Sequence, residues 1–282
     1  MKPAIYYKAN KSTINALIHL FLISVTVTCL YPLAWMVSAS LKTQDTIFKD
    51  FSLIPHEAHL SNYVMAWKMG GFGRYFLNSM FYTAAVVIGI VIVASLAAYA
   101  FSRLKFPGKN ILLIMFIAAM MIPVPGSFVA LYVLLNKLHL RNTPVGYVLA
   151  MINVGLSVSI FLLKTFFDRM PTELEDAARI DGCSKLGIWW HVALPLAKPV
   201  LAVVVVFNSL AVWNEYILAL IIFDSREFMP LQVAIKLFQG EFVTNYPLLI
   251  AGLTIAAVPV IIIYLLMQKY IVKGVIAGAI YG

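Results

Sequence analysis

The 282-residue sequence is 62% hydrophobic, and only 12% of its residues are charged. Soluble globular domains carry roughly a quarter charged residues, so this composition excludes an ordinary soluble protein. The net charge of +9 would suit a nucleic-acid-binding protein, but the basic residues flank long apolar runs. We therefore interpret the charge as a signal of membrane topology and expect no nucleic-acid partner.

Six apolar runs are long enough to cross a bilayer, whose hydrocarbon core of about 30 Å requires about 20 helical residues. They are Ile14–Val37, Tyr75–Phe101, Ile111–Leu135, Val145–Leu163, Val200–Phe223 and Leu248–Met267. Backbone polar groups in lipid must be paired within the segment, and long runs without alternation achieve this as helices. The prediction is an all-α membrane protein with six transmembrane helices, bent at internal prolines, in one domain over residues 1–282.

The short loop SRLKFPGKN is basic and indicates the cytoplasmic side, because cytoplasmic loops are enriched in lysine and arginine. Both termini are then expected in the cytoplasm, with Leu41–Arg74 and Asp224–Pro247 outside. The first run exceeds a signal-peptide core of about 7–15 residues, so we expect it to be retained. Cys29 and Cys183 lie in different regions of this topology, so neither a disulfide nor a metal site is indicated.

Residues 164–199 form the most polar cytoplasmic loop. Thr172 and Glu175 have the spacing of a capping box, which predicts a helix start, and Gly182 predicts its left-handed end. Ser184 is expected to cap a second helix, Lys185 to Val192, which would end before Pro195. Four residues of the first helix are predicted to share one face, open either to a partner or to solvent: Leu174, Ala177, Ala178 and Asp181.

The segment ELEDAARIDG, followed by LPLAKP, resembles the conserved cytoplasmic loop of ABC-importer permeases, close to E-E-A-A-x-x-D-G and then L-P-L-x-x-P. Other fragments are similar to the maltose-type sugar permeases, in order along nearly the whole chain: YPLAWMVSASLKT, FLNSMFYTA, AAYAFSRLKFPGKN, WNEYILALIIF and QKYIVKGVIAGAIYG. One position departs from the family form. Asp176 stands where the family has a glutamate before the paired alanines, and Glu175 could share its role.

The resemblance implies a permease subunit of an ATP-driven importer in the bacterial cell (inner) membrane, with a di- or oligosaccharide as substrate. The implied partners are a second homologous permease subunit, two cytoplasmic ATPase subunits and an extracytoplasmic sugar-binding protein. The residues implied for ATPase coupling lie in the loop segment Glu173–Pro199: Glu173, Glu175, Asp176, Ala177, Ala178, Asp181 and Gly182. Phe238, Gln239, Gly240 and Glu241 resemble a loop that contacts the binding protein, and Val272–Gly282 resembles a tail between ATPase subunits.

The sequence contains no G-x-x-x-x-G-K-[ST] phosphate-binding loop. We therefore expect no catalytic residue and no cofactor on this chain, with ATP and Mg²⁺ bound by the separate ATPase subunits.

Candidate residues for the substrate path are polar groups within apolar runs. Glu215 is an acid deep in a predicted span, which by default suggests function, but it could equally be a polar packing anchor. Asn78, Asn208 and Asn214 could bind sugar hydroxyls or join helices.

Two other functions are weighed against this interpretation. A stand-alone secondary transporter or channel would need several intramembrane acids or histidines and repeated halves. The apolar runs offer only Glu215 and His19, and no repeat is visible. A membrane-embedded hydrolase would need a motif such as H-E-x-x-H or G-x-S-x-G, which the sequence lacks.

Overall fold

The computed structural model describes residues 3–68, 71–121, 124–238 and 244–280, and these residues form helices and no β-strand. The predicted all-α class is confirmed for them. The α-helices are α1 (Pro3–Ser40), α2 (Ser61–Lys68), α3 (Phe72–Arg103), α4 (Lys109–Ala119), α5 (Val124–Lys137), α6 (Pro144–Arg169), α7 (Glu173–Ile180), α8 (Lys185–Ile188), α9 (Leu194–Leu196), α10 (Lys198–Trp213), α11 (Ile217–Ile222), α12 (Leu231–Ile235) and α13 (Tyr246–Ile280). A π-helical turn, Trp189–Ala193, joins α8 to α9, and 3₁₀ turns cover Arg226–Phe228 and Lys236–Phe238.

Four segments are single helices long and apolar enough to cross a bilayer. They are Thr13–Ser40 of α1, Phe72–Arg103, Pro144–Arg169 and Tyr246–Lys269 of α13. These correspond to the first, second, fourth and sixth predicted runs. Each helix extends beyond its run, because polar residues at the ends continue the helical hydrogen bonding.

The other two predicted runs are interrupted. The third forms α4 and α5, of 11 and 14 residues, each too short to span alone. Pro125 lies in the first turn of α5, where a proline is tolerated because its amide would have no partner within the helix, so it favours a new helix start at this point. The fifth run forms α10 and α11, and α10 makes one bent span, with an angle of 79°, only if it is joined to Lys185–Leu196. The described residues thus give four spans, or five with the bent pair, and the count of six stays a prediction.

The larger of two compact units comprises residues 70–237 and 256–282, and α3 packed on α6 forms its centre. Val86, Ile90, Ala94 and Ala98 recur every four residues along α3 and are all fully buried. This spacing places them on one stripe of the helix. The small alanines towards the C-terminal end of this stripe allow close packing there.

The smaller unit comprises residues 1–69 and 238–255, and polar contacts fold the segment that follows α1. Lys42 is buried, and its Nζ donates to the carbonyls of Asp50 (2.5 Å) and Ser52 (2.8 Å). The hydrogen bonds from Ser52, and then Lys42, hold the pKa of Asp50 at about 2. Asn62 Nδ2 donates to the carbonyls of Ser40 and Lys42, both at 2.9 Å. These contacts fix the segment without a large apolar core.

Candidate functional site in the loop between α6 and α10

The loop after α6 carries the residues for which the sequence predicts contact with an ATPase. Its first helix, α7, has Glu173, Glu175 and Asp176 in its first turn, where the helix dipole favours negative charge. The predicted capping box is wrong, because the side chain of Thr172 makes no capping hydrogen bond.

Glu175, the other residue of the predicted capping box, takes no part in capping, because its side chain points into the protein and is only 2% exposed. Its Oε1 accepts a hydrogen bond from Arg103 Nε at 2.6 Å, and its Oε2 accepts one from the Tyr99 hydroxyl at 3.4 Å. Arg103 Nη2 also donates to the carbonyl of Met170. A bond between two charged groups is roughly twice as strong as a neutral one, so Glu175 binds Arg103 rather than the helix start. The buried carboxylate joins α7 to the last turn of α3.

The other acidic side chains of the loop point outward. Asp176 Oδ1 accepts from Arg179 Nη1 at 2.8 Å, and both side chains are more than half exposed. Such exposed pairs contribute about 0–1 kcal/mol. Glu173 and Asp181 are also exposed. Glu173, Asp176 and Asp181 are therefore the acidic residues of α7 and its end that are exposed in this chain. The expectation that Glu175 could share the contact with an ATPase stays a prediction.

The predicted common face of α7 is divided between interior and exterior. Ala178 is buried, whereas Leu174, Ala177 and Asp181 are exposed, because the buried stripe of this short helix runs through Glu175 and Ala178. Several apolar side chains of the loop lie at the surface, among them Leu174, Ile180 (87% exposed), Leu186 and Trp190. A cluster of exposed apolar groups is typical of a surface that contacts another protein.

Gly182 ends α7 as predicted, with φ +81°. The Cys183 amide donates to the Ala178 carbonyl at 2.9 Å, and the Gly182 amide donates to the Arg179 carbonyl at 3.0 Å. These are the two bonds of a Schellman motif, in which a left-handed residue follows the helix. The predicted left-handed stop is confirmed.

The second helix begins as predicted but continues further. Ser184 Oγ accepts from the Gly187 amide at 3.1 Å and caps α8. The chain then forms the π-helical turn and α9, so Pro195 lies inside the helical segment and the predicted end before it is wrong. In an α-helix the proline ring would clash with the carbonyl four residues earlier. The wider π-turn, in which the Leu194 amide bonds to Trp189, relieves that clash.

The predicted contact with the binding protein lies mostly outside the described residues. Phe238 is buried, and its carbonyl accepts from the Asn245 amide at 3.2 Å. Gln239, Gly240 and Glu241 fall outside the described ranges. The role of this segment stays a prediction, as does that of the tail Val272–Gly282.

Glu215 lies at the interruption between α10 and α11, and both oxygens of its carboxylate accept hydrogen bonds within the chain. Its oxygens accept from the amides of Leu218 (2.6 Å) and Ala219 (3.0 Å) and from the Tyr147 hydroxyl (3.3 Å). Amides in the first turn of a helix lack partners within the helix, so Glu215 supplies their acceptor. This geometry favours the packing anchor over contact with a substrate.

The three asparagines also make internal hydrogen bonds. Asn78 Nδ2 donates to the carbonyls of Glu227 (2.8 Å) and Met229 (3.0 Å). Asn208 is buried and donates to Ser159 Oγ at 3.0 Å. Asn214 is exposed, with its Oδ1 3.4 Å from Gln232 Nε2. Asn78 and Asn208 therefore join elements of the larger unit, whereas the Nδ2 of the exposed Asn214 donates to the Leu210 carbonyl of its own helix at 2.9 Å.

Two residues that matter in this loop were missed by sequence reasoning. Arg103 and Tyr99 hold Glu175, but Arg103 was interpreted only as part of the basic topology loop. The available signal was weak. It consisted of an arginine just after one predicted span and an acid in the cytoplasmic loop that follows another.

Comparison with known proteins agrees with this architecture. Residues 89–277 match the family described as "Binding-protein-dependent transport system inner membrane component". The chain is 33% identical to the "Probable ABC transporter permease protein YurM" of Bacillus subtilis, over 100% of this chain and 92% of that protein. It is 29% identical to the "Diacetylchitobiose uptake system permease protein NgcG" of Streptomyces coelicolor, over 93% and 88%.

A solved structure shares the fold. It is the crystal structure of a bacterial ABC transporter involved in the import of the acidic polysaccharide alginate, with a TM-score of 0.81 at 24% identity. The match covers 93% of this chain and 98% of that one.

The chain belongs to the family of binding-protein-dependent transport system inner membrane components. It is a multi-pass membrane protein and an ABC transporter permease subunit, and the permease subunits of this family are generally not enzymes themselves. Members of the family work with ATPase, binding-protein and further permease components.

Proposed function

We propose that this chain forms, together with a second homologous permease subunit, the path by which a di- or oligosaccharide is imported at the expense of ATP. Two separate ATPase subunits bind ATP and Mg²⁺, and an extracytoplasmic binding protein delivers the sugar. The similarity to a diacetylchitobiose permease over most of both chains supports the sugar class. Both termini lie in the cytoplasm of a bacterial cell, where the basic loop at Ser102–Asn110 also lies.

The observation that carries the proposal is the form of the loop after α6. Its first helix is tied to the membrane helices by the buried Glu175, whereas Leu174, Ile180 and Trp190 are exposed. We propose that this outer surface, with Asp176 and Asp181, docks on an ATPase subunit. Closure of the ATPase would then move the loop, and with it the spans.

The exposure of α1 agrees with an assembly of several subunits. Residues 14–34 of α1 are all exposed, so this part of the helix can contact lipid or the second permease. The segment Phe238–Glu241 is proposed to contact the binding protein. The stand-alone transporter is disfavoured because the carboxylate of Glu215 is occupied by internal hydrogen bonds.

The test is to purify the tagged chain in mild detergent from its native cells and to identify its partners by mass spectrometry. We expect a second permease, an ATPase and, after cross-linking, a sugar-binding protein. In nanodiscs, the assembled complex should hydrolyse ATP faster when the sugar-loaded binding protein is added, while the chain alone should hydrolyse none. ATP hydrolysis by the chain alone, or recovery of a chain that transports without partners, would contradict the proposal.

A further inference from the structure

The short helix α7 has almost no apolar anchor in the larger unit. Of its eight residues, only Glu175 and Ala178 are buried. Burial of one alanine methyl stabilises little, because the hydrophobic contribution scales with the apolar area removed from water. The polar contacts of Glu175 are therefore the main attachment between α7 and the spans.

The Glu175 side chain contacts two residues of helix α3. Arg103 is the last residue of α3 and Tyr99 lies one turn before it, and both bind the Glu175 carboxylate. The Arg103 guanidinium also binds the carbonyl of Met170, at the start of the same loop. A guanidinium is planar and holds its donors in a fixed fork, so it sets the direction of α7 as well as its distance from α3. Arg179 Nη2, at 3.8 Å from Glu175 Oε2, adds a weaker contact from within α7.

Helix α3, to which Glu175 is bonded, lies at the centre of the larger unit. The stripe of α3 from Val86 to Ala98 is buried against neighbouring helices. A displacement of α7 therefore either moves α3 or breaks the ion pair. Breaking a buried pair is costly, because one charge is left without its partner.

We infer that the Arg103–Glu175 ion pair is the positioning contact through which movement of α7 reaches α3, so that it sets how much sugar is transported per ATP hydrolysed. This inference rests on the proposed function. Glu175 and Arg103 act here as positioning residues, since the Glu175 side chain is only 2% exposed and binds Arg103 inside the protein. If the pair were only a structural contact, its loss would lower stability and leave the ratio of sugar to ATP unchanged.

The test uses the assembled transporter in proteoliposomes, with sugar uptake and ATP hydrolysis measured on the same preparation. Glu175→Gln keeps the shape of the side chain and removes its charge. We expect the sugar-to-ATP ratio to fall about tenfold, within the range by which residues between two sites alter coupling. The sugar concentration at half-maximal uptake should stay unchanged. The matched control is Lys164→Gln, which breaks an ion pair within α6 at the same end of the helices and should keep the wild-type ratio.

A charge exchange separates coupling from stability. Arg103→Glu or Glu175→Arg alone places like charges together, whereas the double variant restores an opposite pair and should recover much of the ratio. If Glu175→Gln does not accumulate in the membrane, Arg103→Lys provides the measurement. Lysine keeps the positive charge but lacks the planar, forked donors of the guanidinium, so the sugar-to-ATP ratio should fall about threefold.

The inference is overturned if Glu175→Gln or Arg103→Lys transports less sugar but retains the wild-type ratio, or if the charge exchange restores abundance without restoring the ratio. Failure of the proposed function would look different, because the wild-type complex would then show no ATP-dependent sugar uptake.

Discussion

Gly182 determines where α7 ends and how the chain enters α8. Its φ of +81° is accessible to glycine but strained for other residues, most of all those branched at Cβ. A Cβ built at this position would meet nothing within 4 Å. Any effect of substitution must therefore come from the backbone and not from a clash.

We predict that Gly182→Val inserts normally but loses most sugar uptake, because a local strain of about 1–2 kcal/mol re-aims a short helix. The measurement is uptake and co-purified ATPase at matched membrane abundance. Gly187→Ala is the control in the same loop. There the new Cβ would lie 3.4 Å from Ser184 Oγ, an ordinary contact, so uptake should be retained. Wild-type uptake by Gly182→Val would mean that the end of α7 has no role in coupling.

Some residues of the loop could be predicted from sequence and others could not. Gly182 and Ser184 act on atoms within a few residues of themselves, and local rules describe such contacts. Glu175 binds Arg103, which lies 72 residues away in the chain. The capping-box rule predicted that Glu175 would bond to the start of its own helix. In the structure its carboxylate binds the more strongly interacting Arg103 guanidinium instead.

At the scale of whole elements, the approach of α6 to its neighbours depends on Gly155. A Cβ at this position would lie 2.1 Å from Asn208 Oδ1 and 2.5 Å from Ile90 Cδ1. Both neighbours are buried, so neither side chain can move aside freely.

We predict that Gly155→Ala destabilises the detergent-solubilised protein by about 1–3 kcal/mol, the usual cost of overpacking. Thermal unfolding monitored by aggregation would measure the loss. In Gly155→Ala with Asn208→Ala, the space vacated by the amide should relieve the clash. The double variant should then lose less stability than the sum of the losses measured for the two single variants. Strict additivity would contradict this account of the contact.

The segment between α1 and α2 offers a test based on pH. The folded pKa of Asp50, about 2, lies below the ordinary value of 3.8. Its contribution to stability is therefore complete above about pH 4 and is lost as the pH falls towards 2.

We predict that proteolysis of residues 41–63 in proteoliposomes proceeds at the same rate at pH 5 and pH 8. Asp50→Asn should raise that rate at both values, because Lys42 then keeps a buried charge without its counter-charge. Asp45→Asn removes the same charge from an exposed position and should behave as wild type. A rate that changes between pH 8 and pH 5 only when Asp50 is present would be inconsistent with its low pKa.

The elements themselves were predictable where one physical rule dominated. Long apolar runs gave α1, α3, α6 and α13, since helices alone satisfy the backbone in lipid. The division of the third run into α4 and α5 was less visible, because its composition is uniformly apolar and only the prolines mark it. The π-helical turn before Pro195 was not predictable from the proline rule, which describes ordinary α-helices.

For the whole molecule, the distribution of basic residues predicts that both termini lie on the cytoplasmic side. A reporter fused after Gly282 should report the cytoplasm, and one inserted near Glu57 should report the opposite side. Identical locations for the two reporters would show that the span count or the orientation is wrong.

The central claim is that this chain carries sugar only as part of a machine driven by ATP. The most direct measurement is uptake of labelled oligosaccharide into proteoliposomes that contain the assembled transporter, with the binding protein outside the vesicles and ATP enclosed within them. We predict uptake that requires both enclosed ATP and the binding protein and that is unchanged when proton and sodium gradients are collapsed. Uptake that persists without ATP, or that disappears with the ion gradients, would contradict the account.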